Sequence, residues 1–171
     1  MARIAYPDPN APEIAPLVER IKGERGKLLN LYRMLLHSPP VAEGWLTFLT
    51  AIRQKCSLSA RIRELAIMRI AVVNGADYEF RAHTPFALAE GITEKQIDSL
   101  REGKTELFNA VEQSVLAYTE SMTREIHVPD AVFQAVKVHF NEREMVELTA
   151  TIAAYNLVSR FLEAIQVDHD K

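Results

Sequence analysis

Between Leu65 and Val73 the chain carries one polar side chain, Arg69, in the run Leu65-Ala66-Ile67-Met68-Arg69-Ile70-Ala71-Val72-Val73. A segment apolar on nearly every side has no solvent face to offer, so it must be buried in the centre of the fold or in a subunit interface. Gly and Pro mark its surroundings into further helical patterns, and no stretch shows sustained apolar/polar alternation joined by a turn pair such as Asn-Gly. The expected fold class is therefore all-α. After an extended arm over residues 1–12, the periodicity predicts helices over 13–20, 26–36, 41–54, 60–73, 77–90, 93–101, 106–123, 130–139 and 142–165. The punctuation supports several of these. Thr93 with Gln96, and Asn141 with Glu144, have the spacing of capping boxes, Gly75 and Gly91 suit helix ends, and Pro129 suits a first turn.

A chain of 171 residues is long enough for one well-formed core and short for two, so one domain over residues 1–171 is expected. Apolar residues make up 48% and charged residues 25%, which is the balance of a globular chain and not of a disordered one. The net charge is −3, with Lys and Arg scattered among Asp and Glu, so no nucleic-acid footprint and no polybasic membrane surface is expected. The N-terminus has no signal-like apolar stretch, and nothing reaches the ~18 uninterrupted apolar residues of a membrane span, so a cytoplasmic protein is expected. Cys56 is the only cysteine, which excludes an intrachain disulfide, a C-x-x-C redox pair and a multi-Cys zinc site.

Chemistry concentrates around two groups one helical turn apart, Glu79 and His83. Residues four apart share a helix face, so carboxylate and imidazole can touch, and a carboxylate that orients an imidazole is a common general acid/base arrangement. Glu79 falls in the first turn of its helix, where the dipole favours an anion by ~0.3 to 1 kcal/mol. Pro85 lies just beyond His83, and either kinks the helix and opens a cleft or starts a new helix after Thr84. Glu64 shares a face with Met68 and Ala71, so its carboxylate is expected to point into apolar surroundings and to need a partner or a raised pKa. The same residues also fit a purely structural ion pair. No G-x-S-x-G, glycine-rich phosphate loop or H-E-x-x-H is present, and no metal site is expected from the scattered His127, His139 and His169. His37 reads as a helix-end residue and Cys56 as a structural or surface thiol.

The segments Ser57-Leu58-Ser59-Ala60-Arg61-Ile62-Arg63-Glu64-Leu65, Tyr78-Glu79-Phe80-Arg81-Ala82-His83 and Ala87-Leu88-Ala89-Glu90-Gly91-Ile92-Thr93 resemble, in order and separation, the core of the carboxymuconolactone decarboxylase family. The resemblance covers residues 58–100, with looser agreement at His37-Ser38-Pro39-Pro40 and around Glu147-Leu148, Tyr155-Asn156 and Arg160. It implies the single-domain helical bundle of the alkyl hydroperoxidase D-like superfamily and a trimeric or hexameric homo-oligomer. The peroxidase branch carries C-x-x-C where this chain has Ala76 and Glu79, so dithiol peroxide reduction is not open to it. The decarboxylase branch is similar in having glutamate and histidine at the Glu79 and His83 positions. What this implies is a lyase-type enzyme acting, without cofactor, on a small unsaturated carboxylated lactone or related acid. In that scheme His83 is the general acid, Glu79 orients it, and Glu64 or Tyr78 positions or relays protons. Arg81 or Arg69 binds the substrate carboxylate. The alternatives are a non-enzymatic or vestigial member with Glu79 and His83 as a structural ion pair, and a peroxidase using Cys56.

Overall fold

The computed structural model describes residues 1–170, and among them it contains helices and their connections without a strand. They divide into two compact units, Cys56–Phe161 and Met1–Lys55 with the chain from Leu162 onward.

In the second of these units the chain folds as α1 (Ala15–Arg25), α2 (Asn30–Leu35), α3 (Pro39–Thr50) and a π-helical turn, Ala51–Lys55. The α1 helix runs past the expected stop at Arg20, because Leu17, Val18 and Ile21 bury one face and Gly26 closes it at Arg25. Gly26 adopts a left-handed φ of 78° and returns its N–H to the Lys22 carbonyl, a conformation that costs glycine little. The α2 helix starts later than the periodicity suggests, at Asn30, whose backbone N–H donates to Asp170 Oδ1 at 2.7 Å. Pro39 and Pro40 open α3, where their missing N–H groups lose no helical bond. The N-terminal arm is tied down by Arg3 N–H donating to the Ile165 carbonyl at 2.9 Å and Tyr6 Oη donating to Asp168 at 3.2 Å.

The unit Cys56–Phe161 contains α4 (Ala60–Asn74), α5 (Asp77–Ala89), α6 (Glu94–Arg101), α7 (Ala110–Arg124), α8 (Asp130–Lys137) and α9 (Glu142–Ile165) as far as Phe161. Here the all-round apolar segment finds its explanation: α4 packs against α5, α6 and α7, so it has no side left for water. Leu65, Ala66, Ile67, Met68 and Ile70 are fully buried, each large side chain contributing ~1.5 to 3 kcal/mol. Leu65, Met68 and Ala71 meet Phe80, Ile92, Ile97, Leu100 and Leu116 in one core. Arg69 is buried with them. Its charge is compensated by the Glu120 carboxylate and by the Leu100 carbonyl, which accepts from Nη1 at 3.3 Å.

The turn from α4 to α5 is tight. Gly75 takes a left-handed φ of 66°, its N–H reaches the Val72 carbonyl at 3.2 Å, and Ala76 N–H reaches the Ala71 carbonyl at 2.8 Å. These two bonds form a Schellman motif that returns the chain directly into the helix carrying Glu79 and His83. That helix continues through Pro85 to Ala89 instead of ending at Thr84, and Thr84 Oγ1 donates back to the Phe80 carbonyl at 2.8 Å. Both expected capping boxes form, at Thr93/Gln96 and at Asn141/Glu144. A third, Asn109/Glu112, starts α7 at Ala110, later than the expected 106.

Candidate active site

Within this unit, Glu64 comes from the first half of α4 and Glu79 and His83 from α5. All three are buried, at 1%, 1% and 7% exposure. Apolar neighbours put Glu64 inside, because Leu65 and Met68 on the same helix must face the core. His83 Nδ1 lies 2.7 Å from Glu64 Oε2. With a carboxylate at that distance Nδ1 carries the proton and donates it, which fixes the tautomer and the ring orientation. The other oxygen of Glu64 accepts from Arg63 Nε at 3.3 Å. At Nδ1, His83 thus meets a carboxylate from a different helix, that of Glu64 on α4.

Glu79 is served from α9. Ser159 Oγ–H lies between its two oxygens, 3.1 Å from Oε1 and 3.0 Å from Oε2, and donates to the carboxylate. The same helix supplies Tyr155, whose ring meets the His83 ring edge-on with centroids 5.0 Å apart, while Phe86 lies tilted at 5.7 Å on α5. The imidazole is therefore walled by two aromatic rings and anchored at one nitrogen by a carboxylate. Ser159 and Phe86 escaped the sequence reading. The available signal was the four-residue spacing from Tyr155 to Ser159, which puts both on one face of α9.

The remaining expected site residues are placed differently. Tyr78 is buried, at 7% exposure. Arg81 stands on the exposed side of α5 and pairs with Asp77 at 2.7 Å. Arg69 is held by Glu120 and the Leu100 carbonyl. The Glu120 carboxyl, pushed up by burial, is drawn below the usual carboxylate range overall by Arg69 and Arg124. At Cys56, burial and the neighbouring Glu147 carboxylate push the thiol up, away from the thiolate that peroxide chemistry uses. Glu147 itself fastens the approach to α4. Its Oε2 accepts from the N–H groups of Ser57 and Leu58, both at 2.8 Å, and from Ser57 Oγ at 2.9 Å, while Oε1 accepts from Arg143 at 2.9 Å. Among the described residues no three His, Cys, Asp or Glu side chains are grouped to hold a metal ion, and no helix is long and apolar enough to cross a membrane.

The sequence model of the Carboxymuconolactone decarboxylase family matches residues 39–121. The uncharacterized protein YdfG of Bacillus subtilis (strain 168) is 27% identical over 110 residues, which span 63% of this chain and 75% of that protein. Among solved structures, the alkylhydroperoxidase AhpD core protein from Ralstonia eutropha JMP134, an uncharacterized peroxidase-related protein, aligns over 99% of this chain and 93% of its own, with a TM-score of 0.84 and 18% identity. The debrominase Bmp8 in complex with 2,3,4-tribromopyrrole aligns over 99% of this chain and 94% of its own, with a TM-score of 0.82 and 16% identity. At such identities these two likenesses establish the helical fold.

Proposed function

Because the chain belongs to the carboxymuconolactone decarboxylase family and has its alkyl hydroperoxidase D-like fold, we propose that it is a small-molecule enzyme using His83 as a general acid on an unsaturated carboxylated lactone or a related acid. The observation that supports this most is the buried contact of 2.7 Å between His83 Nδ1 and Glu64. A carboxylate on one imidazole nitrogen favours the protonated ring, so the proton that His83 exchanges with a substrate is the one on Nε2.

The chemistry asked of the site is modest. When the substrate carboxylate leaves as CO2, the electron pair of the broken C–C bond delocalises into the conjugated carbonyl as a dienolate. His83 then gives its Nε2 proton to carbon, and the neutral imidazole regains a proton from water. Glu64 keeps the ring oriented throughout and stabilises the imidazolium between turnovers. Glu79 adds a second buried negative charge four residues from His83, held in one orientation by Ser159. The aromatic walls, Tyr155 and Phe86, limit water around the ring, which strengthens the electrostatic support.

The test is a panel of muconolactones and other unsaturated carboxylated lactones, screened first by the rise in melting temperature and then by turnover. His83→Ala is expected to cut turnover of the substrate so found by ~10² to 10⁴, and Glu79→Gln by less. If both variants lose stability while activity per folded molecule stays unchanged, the cluster is a structural ion pair and the proposal fails.

A further inference from the structure

Pro85 lies inside α5, just past His83, and brings no N–H to the carbonyl of Arg81. That turn of the helix therefore lacks one of its backbone bonds. Phe86 follows it directly and, at the i+3 position from His83, projects from the same face of α5. Its ring lies against the imidazole, tilted by 48° with centroids 5.7 Å apart, yet the residue is 47% exposed. The other side chains of the cluster are unlike it. Glu64, Glu79, Tyr155 and Ser159 are all buried, and Tyr155 closes on the imidazole from α9. Glu64 occupies Nδ1, so Nε2 is the edge of the ring left for a reactant. The way from water to that edge leads past the aromatic ring that water already reaches.

We propose that Phe86 is the gate of this site: its ring covers the imidazole, swings outward to admit a reactant, and so sets how large a molecule reaches His83 Nε2. This rests on the reading of His83 as the group that meets the substrate, but access to a ring nitrogen is measurable without turnover. A half-exposed aromatic side chain has staggered alternatives that point into water, and exposed side chains exchange among them in ps to ns, so opening requires no movement of the buried core. The open arrangement is then a minor state of ~0.1 to 10%, and reaction at the covered nitrogen is slowed by that fraction, ~10- to 1,000-fold. Size enters because a bulkier reactant needs the ring swung further aside. Leu88, 40% exposed on the same helix, points to a different side of α5 from His83, so it shares the exposure of Phe86 but not its place over the imidazole.

Two neutral alkylating agents, 2-bromoacetamide and phenacyl bromide, share one reacting group and differ in carrying an amide nitrogen or a phenyl ring beside it. With each, the Nε2 lone pair of the neutral imidazole attacks the CH2 carbon, the C–Br bond breaks and bromide leaves. Rates at His83 are read by peptide mass spectrometry on the full chain, at the high-pH plateau where the ring is neutral, with the exposed His127 and His139 as references. Phe86→Ala is expected to fold, because half of the side chain is already in water, and to speed phenacyl bromide at His83 by ~10-fold or more. Bromoacetamide should gain less, and neither rate should change at His127 or His139. Phe86→Leu keeps a smaller apolar cover and should give a smaller gain in the same order. Leu88→Ala should leave both rates at the wild-type value, which separates a gate from a general loosening of α5 or a change in self-association. Rates at His83 unchanged by both Phe86 variants, gains equal for the two reagents, or gains matched by Leu88→Ala would overturn the proposal. Gains at His83 with no acid of the panel turned over would keep the gate and fail the proton-donor reading, whereas turnover lost in His83→Ala with alkylation unmoved by Phe86→Ala would do the reverse.

Discussion

Replacing Glu64 by Gln keeps the size of the side chain and an oxygen for His83 Nδ1–H, but removes the charge. In the wild type that contact, at 2.7 Å, is a hydrogen bond to a carboxylate. Hydrogen bonds to charged groups contribute ~1.5 to 3 kcal/mol and neutral ones ~0.5 to 1.5, so the change loses about 1 to 1.5 kcal/mol. One pH unit corresponds to ~1.36 kcal/mol, which puts the expected fall in the His83 titration midpoint at about one unit. Coulomb's law sets the ceiling: two charges ~4 Å apart at an effective dielectric of ~20 interact by ~4 kcal/mol, or about three units. The direction follows from the charge, since a carboxylate favours imidazolium and its loss favours the neutral ring. A further cost arises on the other side, where the new amide NH2 faces Arg63 Nε, now 3.3 Å from a carboxylate oxygen. Side-chain NMR of the imidazole protons from about pH 4 to pH 9 measures the midpoint directly, with His37, His127, His139 and His169 as internal controls. A His83 midpoint that rises, or falls by less than ~0.3 unit while the fold is retained, refutes the view that Glu64 holds the charge of this ring.

Acid should loosen the approach to α4 through Glu147, whose carboxyl, pushed up by burial, is drawn net below its ordinary value of 4.5 by Arg143 and the donors at Ser57 and Leu58. A carboxylate with a lowered folded pKa stabilises above its unfolded value and loses that contribution as pH falls through the folded one. Wild type should therefore melt above Glu147→Gln near neutral pH, with the gap closing as pH falls below the ordinary value of 4.5; a gap that widens in acid would contradict this. Thiol-dependent peroxide turnover should be negligible and unchanged in Cys56→Ser, because the thiol is pushed up and has no second cysteine to resolve it. Turnover abolished by that substitution would show the opposite. Phe86, Leu88, Val146 and Leu157 remain 47%, 40%, 68% and 48% exposed, which leads us to propose self-association as a trimer or hexamer. A monomer in light scattering at micromolar concentration would refute it.

Local sequence determined what local rules govern. The periodicity and the all-round apolar run require helices and a buried α4. The side-chain spacings at Thr93/Gln96 and Asn141/Glu144 dictate their caps, and Gly75 permits the left-handed turn that leads into α5. The placement of Glu79 and His83 on one helix face is equally local, because it depends only on 3.6 residues per turn. Which groups those residues actually meet is not local. His83 is held by Glu64, 19 positions away, and Glu79 by Ser159, 80 positions away. Arg69 was taken up by Glu120 and Arg81 by its neighbour Asp77. These outcomes depend on the angle and register at which α4, α5, α6, α7 and α9 pack. Interdigitating side-chain ridges set that geometry, and no single helix encodes it in its own periodicity.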